Sequence, residues 1–241
     1  MKLNGKDPTT LHRCISLSGE KLPGSAERDV VTVESDGGEQ VVRVSLRQSE
    51  YTVVLNIAGR TWEEAMEARA AIAAWASAGG ALTAEAEPSK TPGKAYMVTL
   101  KSISEIEKRF GTVDVTFIVP APVMHSVAPS AARGTNGKLH MMTGGTASVR
   151  PVLRITPDGY AESISLSVDG KAFFKLRGEI YAGQELMVDL ERGAVTIDGE
   201  HAEDRIVYTD TDMDIDLAPG RHEFACSVPA AMTARWRDKW L

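Results

Sequence analysis

Tyr51-Thr52-Val53-Val54-Leu55-Asn56-Ile57, followed within four residues by Thr61-Trp62-Glu63-Glu64-Ala65-Met66-Glu67-Ala68-Arg69-Ala70-Ala71-Ile72-Ala73-Ala74-Trp75-Ala76-Ser77-Ala78 and then Gly79-Gly80, contains both kinds of secondary structure expected in this chain. The first seven residues alternate between faces and are rich in β-branched side chains, so they read as a half-buried strand. The next eighteen change period. Thr61 and Glu64 stand at capping-box spacing, a run of Ala, Glu and Met follows, and two glycines end it, which predicts a helix over 61–78. At 100° per residue Ala65, Ala68, Ile72, Trp75 and Ala76 share one side and Glu63 and Glu67 the other, so the helix should lie flat on a sheet.

Outward from that stretch the text is almost entirely β. Strand patterns occupy Asp29–Ser35, Val41–Gln48, Ala95–Lys101 and Thr112–Val119, with Asp36-Gly37-Gly38 as a hairpin turn between the first two. From Ala128 to Thr146 no period is sustained, and this stretch reads as a linker or extended arm. Strand signals resume at Val149–Thr156, Tyr160–Val168, Ala172–Leu176, Glu185–Leu190, Ala194–Ile197, Ile206–Thr209, Asp212–Leu217, Glu223–Val228 and Thr233–Trp236, separated by Asp-Gly and Pro-Gly turns. The expected fold is mainly β: two sandwich-type domains, 1–127 with the packed helix and 147–241, joined through 128–146.

Composition excludes several functions. The 241 residues are 43% hydrophobic and 25% charged, which suits folded domains rather than disorder. A net charge of −6 argues against a phosphate-gripping surface, and so against sequence-specific nucleic-acid binding. No apolar run approaches the roughly 18 residues of a membrane span, and no signal core follows Met1. Two cysteines, Cys14 and Cys226, near opposite ends cannot form a disulfide framework or a zinc quartet.

The search for chemistry finds no phosphate-binding loop, dinucleotide fingerprint, nucleophile elbow or paired metal-ligating histidines. His12 and Cys14 could share a strand face, but no second ligand pair follows. His222 and Cys226 lie too far apart along a strand to chelate together, about 13 Å at strand rise. Asp210, Asp212, Asp214 and Asp216 would line one face of an extended strand. A solvated acidic face is the first reading, a docking surface for a basic partner the second, and a curled calcium loop or an opposed acid pair has no support in the spacing. Trp62, Trp75, Trp236 and Trp240 could stack on sugar rings if exposed, but core packing or subunit contact is the plainer expectation. No catalytic, cofactor-binding or metal-binding residue is assigned, no cofactor is expected, and the chain reads as a non-enzyme.

The order of these elements resembles that of siphophage distal tail proteins, the Dit family. In the first half the resemblance rests on Leu3-Asn4-Gly5, the strand pair around 41–57, the helix from Trp62 to Trp75 with Gly79-Gly80, Ala81-Leu82, the acidic-to-proline stretch Glu85 to Pro88, Tyr96-Met97-Val98, and Val115-Thr116-Phe117 before Pro120. In the second half it rests on Pro151-Val152-Leu153-Arg154-Ile155, the hairpin from Ile164 to Leu176, Gly183 to Asp189, Val195 to Gly199, Leu217-Ala218-Pro219-Gly220, and the basic-aromatic ending Arg235 to Leu241.

The resemblance implies a structural component of a phage or prophage tail tip, a baseplate hub protein made in the bacterial host cytoplasm and located in the virion. It implies a hexameric ring of N-terminal domains that joins the tail tube protein to a fibre or spike protein. A galectin-like C-terminal domain would face outward, toward a receptor-binding protein or cell-wall saccharide. The alternative is a carbohydrate-binding, lectin-like adhesion module.

Overall fold

The computed structural model describes residues 1–23, 28–35, 38–78, 82–85, 93–105, 109–120 and 123–241. The chain divides into two compact units, Met1–Val127 with Leu241, and Ala128–Trp240.

In the first unit the strands are β1 (Lys2–Leu3), β2 (Ile15–Lys21), β3 (Arg28–Ser35), β4 (Gly38–Leu46), β5 (Ser49–Ala58), β6 (Leu82–Glu85), β7 (Lys94–Ile103), β8 (Phe110–Val119) and β9 (Met124–Ser126). An antiparallel sheet runs in the order β1-β6-β7-β8-β5-β2, with β9 also beside β7. Strands β3 and β4 pair with each other, Ser35 opposite Gly38. Residues Asp36 and Gly37 of the expected turn lie outside the described residues, as do Gly79-Gly80, Ala81 and residues 86–92.

The alternation read from Tyr51 onward is the alternation of burial. Tyr51, Val53, Leu55 and Ile57 of β5 are buried, and Val113, Val115, Phe117 and Val119 of the neighbouring β8 repeat the pattern. The sole α-helix among the described residues, α1 (Trp62–Ala76), closes this face with Ala65, Ala68, Ile72, Trp75 and Ala76, all in the same core. Four of these are small or β-branched, which lets the helix sit close to the sheet. Trp75 fills the remaining space, its ring edge-on to Phe117 at 6.3 Å and its indole N–H donating to the Lys6 carbonyl at 3.2 Å.

The helix begins where the sequence says. The Thr61 hydroxyl accepts from the Glu64 N–H at 3.2 Å, but the Glu64 carboxylate reaches one residue further back than a capping box requires, to the Arg60 N–H at 2.7 Å. Removing the cap in Thr61→Ala is expected to cost about 1 kcal/mol in denaturant unfolding, because one first-turn N–H loses its acceptor.

Ten strands of the second unit build its sheets: β10 (Ser130–Gly134), β11 (Lys138–Thr143), β12 (Val152–Pro157), β13 (Ala161–Val168), β14 (Lys171–Ile180), β15 (Leu186–Asp189), β16 (Ala194–Ile197), β17 (Glu200–His201), β18 (Gly220–Cys226) and β19 (Ala230–Trp236). They form two antiparallel sheets, β10-β19-β12-β15-β16-β17 and β11-β18-β13-β14. Leu153, Ile155, Leu186, Val188 and Met232 of the first sheet share one core with Leu139, Ile164, Leu166, Phe174, Leu176 and Phe224 of the second, so the sheets pack face to face. Asp169-Gly170 and Asp198-Gly199 are both two-residue turns with positive φ at both positions, the geometry that matches strand twist.

Two expectations are corrected here. The stretch 128–146 is not a linker but contains β10 and β11, one strand in each sheet. The chain reverses at Asn136-Gly137, closed by Thr135 opposite Lys138, and the two arms then part into different layers. Gly134 allows the corner: a Cβ there would lie 1.9 Å from the Lys138 carbonyl oxygen. Neither 206–209 nor 212–217 is a strand. Tyr208–Asp210 is a 3-10 turn, and the Asp212 carboxylate accepts from the Asp214 N–H at 3.0 Å, the local side-chain bond by which aspartate competes with a ladder.

Candidate interaction surfaces

The residues singled out for chemistry are each accounted for by local contacts. His12 Nδ1 lies 3.0 Å from Cys14 Sγ, and its Nε2 lies 3.9 Å from a Glu67 carboxylate oxygen. Burial and the nearby Glu64 carboxylate push the Cys14 thiol up, the wrong direction for a nucleophile. Cys226 is likewise pushed up by burial. Among the described residues no group of three or more His, Cys, Asp or Glu could hold a metal ion.

His222 is not near a second ligand but between two acceptors. Nδ1 lies 2.7 Å from the Asp169 carboxylate and Nε2 2.7 Å from the Ala218 carbonyl, so both ring nitrogens face acceptors, an arrangement that favours the protonated ring. Burial opposes this, but the Ala218 and Asp169 bonds outweigh it and raise the pKa above 6.5. Asp169 moves the other way, lowered by the Glu223 N–H and by His222.

The raised histidine contributes stability that is complete below its ordinary value and is lost as pH rises through its folded pKa. The lowered aspartate contributes above 3.8 and loses that contribution as pH falls through its own folded value. The stability difference between the native chain and His222→Gln is therefore expected to be largest near pH 5 to 6, about 0.5–1 kcal/mol for this partly exposed pair, and to shrink by about pH 8.5. Denaturant titration at the two pH values checks it.

The acidic run has its counter-charges within the chain. Arg150 bonds Asp216 at 2.8 Å and Asp214 at 3.1 Å, and Lys175 bonds Asp210 at 3.0 Å. Its backbone covers the outer edge of β14: the Val207 N–H donates to the Lys175 carbonyl and the Asp212 N–H to the Phe173 carbonyl, while Thr211 Oγ1 accepts from the Lys175 N–H. The run thus acts as an edge guard, a role that residue types alone did not signal. The four carboxylates do not form the collinear row expected of a strand.

The tryptophans do not form an exposed stacking pair. Trp75 and Trp236 belong to the two cores, and the Trp236 indole donates to the Asp238 carboxylate at 3.0 Å. Trp62 is exposed at the start of α1, near Met66 one turn on. In the first unit β2 ends its sheet, and no strand among the described residues pairs with its outer edge, beside which Leu17 and Leu22 are exposed. An open edge and exposed apolar side chains on the same unit are features of a surface that meets another chain.

Residues 144–240 match the family described as siphovirus-type tail component, C-terminal domain. A search of curated protein sequences finds no match. Among solved structures, the Dit protein (gp 19.1) of phage SPP1, described as a paradigm of the hub adsorption apparatus in phages infecting Gram-positive bacteria, superposes with a TM-score of 0.76 at 14% identity, over 99% of this chain and 98% of that one. A chain of the phage p2 baseplate in its activated conformation with Sr is more distant, with a TM-score of 0.50 at 9% identity, over 92% of this chain and 90% of that one.

A siphovirus-type tail-component domain thus fills most of the second unit, and the chain shares the fold of SPP1 Dit along nearly all its length.

Proposed function

We propose that six copies of this chain form a ring at the end of the tail tube, with the fibre or spike protein on the far side. The observation that carries the reading is the tail-component match over the second unit combined with the fold of SPP1 Dit, a hub protein, over the whole chain. Residues 1–127 supply the ring domain in this reading, and the second unit, a galectin-like sandwich, is carried outward. Assembly takes place in the host cytoplasm before the virion is released.

The physical features of the first unit support it. A closed ring of identical subunits needs two different, complementary surfaces on each copy. The edge of β2, which no described strand pairs with, offers one with Leu17 and Leu22, and the exposed end of α1 with Trp62 and Met66 offers another of different shape. The net charge of −6 suits a ring through which DNA passes without being held.

The test is the mass of the purified chain in solution, alone and mixed with the tube protein. A species at six times 26.0 kDa, or a tube-bound complex with six copies, is expected. A monomer under both conditions removes the hexamer from the proposal.

A further inference from the structure

At the open end of the β13–β14 pair, four side chains occupy a small block on the solvent face. Ala161 lies opposite Ile180, which places Tyr160 beside Tyr181, and the strands then bulge before Ser163 meets Arg177, with Glu162 and Glu179 in the intervening step. Both tyrosines are more than half exposed, at 54% and 53%, whereas Phe173, Phe174, Phe224 and Trp236 of the same unit are buried. Their ring centroids are 5.6 Å apart with planes at 49°, so they form an open, angled pair rather than a stack closed on itself.

The block is held in place. The Tyr181 hydroxyl donates to Glu179 Oε2 at 2.6 Å, and the Tyr160 hydroxyl faces Glu179 Oε1 at 3.4 Å. Behind it, the Arg205 guanidinium donates to the carbonyls of Arg177 and Glu179 at 3.0 and 2.8 Å, fixing the bulge from the backbone side and leaving the carboxylate alone.

The negative charge of the block is not balanced within it. Glu185, Asp210, Asp214, Asp216 and Glu191 each face an arginine or lysine of the chain. Glu162 and Glu179 have no cationic partner among the described residues, though they are neighbours across a strand pair, where like charges destabilise. The negative field is felt at the phenols: Glu179 heads the causes that raise Tyr181, and desolvation followed by Glu179 and Glu162 raises Tyr160.

Two aromatic faces beside two uncompensated carboxylates are complementary to an organic cation. The block is open on the sheet face and lacks the enclosing walls that would surround a quaternary ammonium. A planar guanidinium suits an open seat better, since it can lie on one ring and reach a carboxylate with its fork. We propose that Tyr160, Tyr181, Glu162 and Glu179 form a docking seat for an arginine side chain of a partner protein. The seat lies in the second unit and does not depend on the ring, so either can fail without the other.

The experiment uses the full chain with ring-carbon-13 tyrosine, titrated with Nα-acetyl-arginine methylamide, its neutral citrulline counterpart, and methyl N-acetylglucosaminide. The arginine compound is expected to shift the Tyr160 and Tyr181 resonances saturably in the millimolar range, and the other two to leave them unmoved. Glu179→Gln should weaken the binding about tenfold, while Tyr160→Phe, which keeps the ring, should change it by less than about threefold. Equal shifts with citrulline, shifts with the saccharide alone, or no shift with any probe in a folded sample would each overturn the proposal.

Discussion

Trp75→Ala is expected to destabilise the first unit by about 3–5 kcal/mol, the range for removing a buried tryptophan ring. The ring is 5% exposed, packs edge-on against Phe117, and is the one large side chain that α1 presents to the sheet at its C-terminal end. The neighbouring helix positions are alanines and Ile72, which cannot expand to fill the space, and the Lys6 carbonyl loses its indole donor at the same time. Denaturant unfolding followed by tryptophan-independent circular dichroism measures the loss. Trp62→Ala serves as the control: Trp62 is half exposed, and its removal should change stability by less than about 0.5 kcal/mol. Similar effects from the two substitutions would mean that the helix is not docked as described.

Gly134→Ala is expected to cost about 3 kcal/mol in the second unit, at the upper end of what overpacking does. The added methyl would meet backbone, the Lys138 carbonyl oxygen at 1.9 Å and the Leu139 Cα at 2.7 Å, so no side-chain rotation can relieve it. The chain must instead open the corner at which β10 and β11 part, and Leu139, fully buried in the core, moves with it. Gly159→Ala is the comparison, since nothing lies within 4 Å of a Cβ placed there. A loose linker over 128–146 would accept either substitution equally well. Unfolding curves of the two variants therefore distinguish the strand-bearing corner from a linker directly.

Where the sequence was legible, one periodicity governed the element. The alternation of Tyr51 to Ile57 and the helical stripe of Ala65, Ala68, Ile72, Trp75 and Ala76 are faces that meet a single core, so residue type and burial coincide. The corner at 128–146 was misread although its signals are present. Asn136-Gly137 is a strong two-residue turn, and Lys138 to Thr143 alternates exposed and buried. What hid them is that β10 is built from Ser, Ala, Ala, Arg and Gly, which leave no hydrophobic pattern.

The acidic run failed for the opposite reason. Asp212 to Leu217 alternates cleanly, but Asp-rich backbone prefers its own side-chain bonds, and the segment's partners, Arg150, Phe173 and Lys175, lie far away in sequence. The Tyr160–Tyr181 seat was invisible for a related reason. Neither tyrosine stands out alone, and their pairing exists only because the β13–β14 register, with its bulge, sets one beside the other. The histidine clamp at His222 likewise needs the Asp169-Gly170 turn to fold back beside β18.

On the proposed reading the chain is a structural subunit at the distal end of a tail. Gold-labelled antibodies against the purified protein, applied to tails from the particle that encodes it and viewed by electron microscopy, test this directly. Label confined to the tip, at the junction between tube and fibre, is the expected result. Label along the tube, on the head, or absent from intact particles would contradict it.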